Sequence, residues 1–226
     1  MLSFLPASTL VVAQDTTTQA SKLELKTAIQ PRTPDAGWLY LSEYFVDGAR
    51  DSFSTTREDV IQTKEIDGVT CYLVRLTFDW RTLGERFIGQ ALEEDSYDYF
   101  WEYFNEEGSY HYWVDGLNAP APAQLSDFDL TLQYPVDAGA SYIADGSRYT
   151  VLDTARDLSV PAGEFSCVVY QVDSLDASDP DRSREHYYMS PGVGLVRWEI
   201  YYWVNEQWVL DSRDDLVNFS LTSEEE

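Results

Sequence analysis

The chain has 226 residues and a mass of 25.9 kDa, enough for one large β-domain with a sizeable core. Its 44% hydrophobic and 15% aromatic content excludes disorder throughout and any collagen-like or coiled-coil architecture. Forty Asp and Glu stand against 15 Lys and Arg, a net charge of −25, so nucleic acid and anionic lipid surfaces would be repelled.

In chain order, the apolar stretch Met1–Ala13 comes first. It is too short to span a bilayer and ends in Val11-Val12-Ala13, a small-residue cleavage pattern without a basic leader before it. This points to a signal-peptide remnant and a secreted or periplasmic protein, with no transmembrane segment elsewhere. Residues 1–34 read as that remnant plus a flexible lead-in, residues 35–221 as a single β-domain and residues 222–226 as an acidic tail.

Period-two alternation dominates the domain. Tyr72, Val74, Leu76 and Phe78 share one strand face; Phe128, Leu130, Leu132 and Tyr134 share another. Val168, Tyr170 and Val172 repeat the pattern, as do Val196, Trp198, Ile200, Tyr202 and Val204. Asp67-Gly68, Asn105–Gly108, Asp145-Gly146, Pro191-Gly192 and Asn205-Glu206 supply turns, and hairpins are expected around the second and the last. Leu83, Phe87, Ala91 and Leu92 could line a short helix over Thr82–Glu94, although Gly84 and Gly89 weaken it. The fold expected is all-β: an antiparallel bent sheet or half-open barrel with at most one short helix. Pro34–Tyr40 echoes Pro135–Tyr142, and Gly68…Cys71 echoes Gly163…Cys167, so residues 35–117 and 125–221 read as two similar β-units joined by Asn118–Gln124.

The second half carries the more specific motifs. Ser159-Val160-Pro161-Ala162-Gly163-Glu164-Phe165 runs into a strand, and Tyr187–Val196 contains Pro191-Gly192-Val193-Gly194. These resemble the VPAGxF and PGVGxV segments of uncharacterised exported bacterial β-rich proteins. Leu132–Gly139 and Gly37-Trp38-Leu39-Tyr40 are similar to further segments of those proteins, in the same order. Glu164 and Ser190 depart from the usual Thr and Ala. The resemblance implies export and a β-rich architecture distantly like the half-barrels of lipoprotein carriers, and no reaction.

The chemistry-bearing residues offer little machinery. There is no Gly-x-Ser-x-Gly elbow and no phosphate loop, so neither catalytic residues nor a cofactor are expected. Glu102 and Glu199, both in aromatic hairpins, could be imagined as a glycosidase pair, but solvated strand faces explain them as well. Asp173, Asp176, Asp179 and Asp181 crowd one loop without calcium-loop spacing, and no metal is assigned. Cys71 and Cys167 are either a disulfide, worth about 4–5 kcal/mol in the chain-entropy model, or two buried thiols.

The aromatics are the positive feature. Tyr97, Tyr99, Trp101 and Tyr103 share one strand face, and with Tyr112, Trp198, Tyr202 and Trp203 they form the candidate ligand-binding set. The function expected is a non-enzymatic exported protein whose concave aromatic face holds an apolar ligand, lipid or partner chain. The alternative is a structural or interaction module of the cell envelope, partnered by another envelope protein, with its aromatics sealed in the core.

Overall fold

Two-residue turns organise the chain. Asp47-Gly48, Asp67-Gly68, Asp145-Gly146 and Asn205-Glu206 all hold both residues at positive φ, the geometry that joins antiparallel strands at their natural twist. The computed structural model describes residues 29–79, 96–175 and 182–221; the helix expected over Thr82–Glu94, the signal-like start and the acidic tail lie outside them. The strands are β1 (Gly37–Val46), β2 (Ala49–Ile66), β3 (Val69–Asp79), β4 (Ser96–Asn105), β5 (Gly108–Val114) and β6 (Asp129–Gln133). They continue as β7 (Ser141–Ala144), β8 (Ser147–Val160), β9 (Gly163–Ser174), β10 (Ser183–Ser190), β11 (Gly194–Val204) and β12 (Gln207–Ser220). A single 3₁₀ turn, Leu125–Asp127, is the only helical element among the described residues. The all-β expectation holds.

All twelve strands belong to one antiparallel sheet, ordered β6-β5-β4-β3-β2-β1-β12-β11-β10-β9-β8-β7. Two meanders of six strands therefore meet through the β1–β12 ladder, while the free edges β6 and β7, adjacent in the chain, come together on the far side. The sheet curls into a nearly closed barrel. No backbone ladder joins β6 to β7; tyrosines bridge the gap. The Gln133 amide donates to Tyr142 Oη at 2.9 Å, and Tyr170 Oη donates to the Gln133 carbonyl at 2.8 Å. Each edge group thus gains a partner that an open edge would leave to solvent.

Both faces of this sheet are packed. Inside, Trp38, Tyr40, Val60, Val74, Phe100, Val196 and Leu216 form one cluster, and Leu132, Tyr149, Tyr170 and Met189 belong to a second. On the outside, Cys71, Leu73, Trp101, Tyr103 and Phe128 form a third, with Ala121 and Leu125 packed against it. The segment after β5 therefore lies along the outer face of β3–β5, and the Leu125 amide reaches Asp67 at 3.0 Å. The Asn118–Gln124 stretch expected to be a linker belongs to this cover, and β6 beyond it pairs with β5 of the first meander.

The barrel has a floor and a mouth. The floor gathers the β8–β9 and β10–β11 turns, which contain the two proline-glycine motifs, together with the chain leading into β1. Trp38 Nε1 donates to the Val193 carbonyl at 2.8 Å, and the Ala162 amide donates to the Leu216 carbonyl at 3.0 Å. The flexible lead-in expected through residue 34 needs correction here. Ile29, Gln30 and Arg32 are 2, 7 and 3% exposed, because an apolar side chain and two polar ones find partners inside the barrel end. The mouth carries the Asp47-Gly48, Asp145-Gly146 and Asn205-Glu206 turns. Trp101 lies on the outer face at 2% exposure, so Trp101→Ala is expected to lower the unfolding free energy by about 3–5 kcal/mol in denaturant titrations, without altering the lumen.

Candidate functional site

Alternation points every second residue of each strand inward. Around the barrel this brings Tyr40 from β1, Glu58 from β2, Leu76 and Phe78 from β3, and Phe100 from β4 to one central cavity. Trp113 from β5, Met189 from β10, Trp198 from β11 and Asp214 from β12 complete its circumference. Its volume is about 450 Å³, within the range of small-molecule sites. The wall is mainly apolar and aromatic, interrupted by Asp98, Asp129, Asp145 and Asp214, with Gln30 and Arg32 on the floor side.

Arg32 anchors the floor. Its side chain is fully buried; Nε donates to Glu102 Oε2 at 2.5 Å, and Nη1 lies 2.9 Å from Glu58 Oε2. The guanidinium also sits over the Trp38 ring, 4.4 Å from its centroid, while Nη2 has no hydrogen-bond partner among the described residues. Glu102, 0% exposed, accepts from Ser109 Oγ at 2.7 Å and lies 3.0 Å from His111 Nε2. Burial alone would raise its carboxyl, but Arg32 and His111 beside it override that and hold it at about 2.

Asp214 behaves oppositely. Burial pushes its carboxyl up to about 6; the Ser42 hydroxyl opposes the shift, and Asp215 and Glu58 add to it. Its other close neighbours are the Tyr40 and Tyr44 phenols, whose own ionisation is disfavoured by burial first and by Asp214 in addition.

The outer face carries a separate charge ladder over β1, β12, β11 and β10. Arg50 and Arg213 both bond Glu43, Arg197 bonds Asp215 at 2.5 and 3.0 Å, and Glu199 lies 3.7 Å from His186. Glu199 also accepts from the Tyr188 and Tyr201 hydroxyls at 3.1 and 2.8 Å. Glu102 and Glu199 therefore occupy opposite faces of the sheet and do not form a pair. Asp173, from the acidic loop region, is bound by Arg184 at 2.7 Å, and no group of three or more His, Cys, Asp or Glu suited to a metal occurs among the described residues.

The structure divides the aromatic set expected from the sequence. Trp198 lines the cavity, stacked on Tyr187 at 5.9 Å, and its indole donates to Glu185 at 2.9 Å. Tyr99, Trp101, Tyr103 and Tyr112 belong to the outer cluster, and Tyr97 lies beside Arg75 on that same face. They are covered or turned away from the lumen, which corrects their placement on a concave binding face. Tyr202 and Trp203 sit at the β11–β12 tip, 37 and 40% exposed, with Trp203 edge-on to Trp208. The lumen takes the other phase of the same strands: Asp98, Phe100 and Glu102 on β4, His111 and Trp113 on β5. A stripe mixing acids with aromatics looks solvated in a sequence, and only barrel closure turns it inward. Cys71 and Cys167 are free and lie in different clusters, so the second of their two alternatives is the one present. Burial pushes the thiols up to about 11 and about 12 respectively, which leaves them inert.

Neither any protein-family model nor any curated protein matches this chain. Among solved structures, it is similar to a presumed exported protein with a YmcC-like fold from Bacteroides fragilis, at 16% identity and a TM-score of 0.49, over 86% of this chain and 100% of that one. It is also similar to a presumed lipoprotein from Parabacteroides distasonis, at 16% identity and a TM-score of 0.48, over 86% of this chain and 99% of that one.

Two titrations check the interior charges. Asp214 binds its proton more tightly in the fold than in the unfolded chain, so its cost is absent at pH 4 and complete above pH 6. Asp214→Asn should raise stability by about 1–3 kcal/mol at pH 8, after discounting for its partial exposure, and by nothing at pH 4. Glu102 has the opposite sign: its ion pair stabilises at neutral pH, and the contribution is lost as pH falls toward 2. Arg32→Met strands that carboxylate and should cost about 3–5 kcal/mol in chemical denaturation, part of which Glu102→Gln restores in the double variant.

Proposed function

We propose that this chain is a non-enzymatic, extracytoplasmic binding or carrier protein whose barrel lumen takes an apolar ligand. The single observation carrying the reading is the cavity of about 450 Å³, bounded by aromatic and aliphatic side chains from strands all round the barrel. A core of this size that closed on itself would have filled that space, since interiors otherwise pack to crystal density. The apolar stretch Met1–Ala13 supports an extracytoplasmic site. Glu102, the most deeply buried acid on the inner face, is fully engaged by Arg32, Ser109 and His111, an arrangement suited to holding a floor in place rather than to moving protons. Loading through the mouth is supported by Trp113, which lines the cavity near the end of β5 and is 58% exposed.

A second reading, an envelope module with no ligand, is favoured by the sealing of Trp101 and Tyr103 beneath the outer cover. Binding measurements separate the two. The neutral fluorophore N-phenyl-1-naphthylamine should bind saturably to the native protein with a blue-shifted emission. Leu76→Trp and Thr131→Trp, which fill the lumen, should weaken binding at least fivefold, while Tyr99→Ala on the outer face should leave it unchanged. An absence of binding by the folded protein, or equal binding by all variants, would refute the carrier.

A further inference from the structure

The cavity is lopsided in charge. Arg32 is the one arginine or lysine on its wall among the described residues, and that charge is already matched by Glu102 and Glu58. Asp98, Asp129, Asp145 and Asp214 are left over; the imidazole of His111, also on the wall, is engaged by Glu102. The four aspartates share the wall with the rings of Phe78, Phe100, Trp113, Tyr187 and Trp198. Ring faces beside carboxylates are the combination that attracts an ammonium group, through the ring quadrupole and through charge. An anionic head meets the reverse: it must pass the aspartates and then displace Glu58 or Glu102 to reach Arg32.

The floor adds an independent observation. Arg32, on the floor side of the cavity wall, has a side chain with no solvent exposure, and its Nη2 has no acceptor among the described residues. A buried guanidinium donor without a partner is costly, and an oxygen supplied from the lumen would satisfy it. Because two carboxylates already neutralise Arg32, a neutral oxygen suffices. The two demands lie at opposite ends, since Asp98 stands near the start of β4 and Asp145 in the β7–β8 turn, both at the mouth, while Arg32 enters from the floor.

We propose that the lumen binds a positively charged amphiphile, its cationic group among the mouth aspartates and a neutral oxygen acceptor at its inner end against Arg32. This rests on the carrier reading and narrows it to one ligand class. The test uses the full chain and four compounds with the same ten-carbon tail: decyltrimethylammonium, 10-hydroxydecyltrimethylammonium, decanol and decanoate. Each competes against N-phenyl-1-naphthylamine below its micelle concentration. The cations should displace the fluorophore at least tenfold better than decanoate, with decanol between them, and the hydroxylated cation should exceed the plain one about threefold. The triple variant Asp98→Asn, Asp129→Asn, Asp145→Asn should lose about tenfold for the cations and nothing for decanol, and molar salt should shrink the same gap. Decanoate binding as well as the cations would overturn the charge assignment while leaving the carrier intact. Equal affinity of the two cations would overturn the role of Arg32, and failure of the fluorophore itself to bind would overturn the carrier and this inference together.

Discussion

A guanidinium stripped of water and set between two carboxylates is the contact on which the floor of this barrel depends. Arg32 comes from a segment with no regular structure, yet its Nε–Glu102 bond and its approach to Glu58 tie that segment to β4 and β2 at once. The energetics leave little freedom. Removing either partner leaves a charge buried in a medium that cannot solvate it, whereas the intact cluster roughly balances its own desolvation. Such a cluster contributes specificity more than stability. It dictates which stretch of chain enters the barrel end and where it stops, and Gln30, packed against Gly194 of the β10–β11 turn, follows from that placement. A Cβ on Gly194 would meet the Gln30 side chain at 3.0 Å, a contact eased by a small shift of that side chain, so it is the backbone at φ +103° that chiefly calls for glycine in the second motif.

The strands and their turns were legible in the amino-acid order because period two is a local property. Val69–Phe78, the Asn105–Gly108 hairpin and the β11–β12 hairpin all stand where alternation and turn chemistry place them. Which side of each strand faces the lumen was not legible. On β4 the Trp101 phase is aromatic from Tyr97 to Tyr103 and the Phe100 phase mixes Asp98 and Glu102 with aromatics, so hydrophobicity alone assigns the interior to the wrong side. The reversal arises from two long-range events: the outer phase is buried by chain beyond β5, and Glu102, the most buried acid of the inner phase, is matched by Arg32, 70 positions away. Neither event leaves a local trace. The same reasoning explains the cysteines, whose shared β-like surroundings say nothing of the sheet faces on which they lie.

Charge is partitioned across the sheet in a way that its total of −25 conceals. On the outer face, arginines stand between acids in a cross-strand ladder: Arg213 and Arg50 on Glu43, Arg197 on Asp215 and, more distantly, on Glu199. Those acids are between 7 and 8% exposed, so neutralisation there accompanies near-complete burial, where charge pairing counts for more than at an open surface. Among the described residues the lumen receives a single arginine, and it is consumed at the floor. The scarcity of cations is thus distributed rather than uniform: the sheet's outer packing takes most of those found in its ion pairs, and the cavity keeps unmatched aspartates.

That partition bears on why the barrel remains hollow. Side chains that filled the lumen would have to desolvate Asp214 completely as well as the aspartates nearer the mouth, and among the described residues no unpaired arginine or lysine stands on the wall to compensate them. Asp214 already shows the cost, with its carboxyl lifted to about 6 by burial that is still incomplete. Open volume leaves these acids a route to solvent that a filled lumen would remove, and the aromatic rings between them line the same space. Acids that resist burial and rings that favour it cannot both be satisfied by the protein's own packing. A guest with an apolar body and a compensating charge satisfies both, which ties the cavity's existence and its selectivity to the same residues.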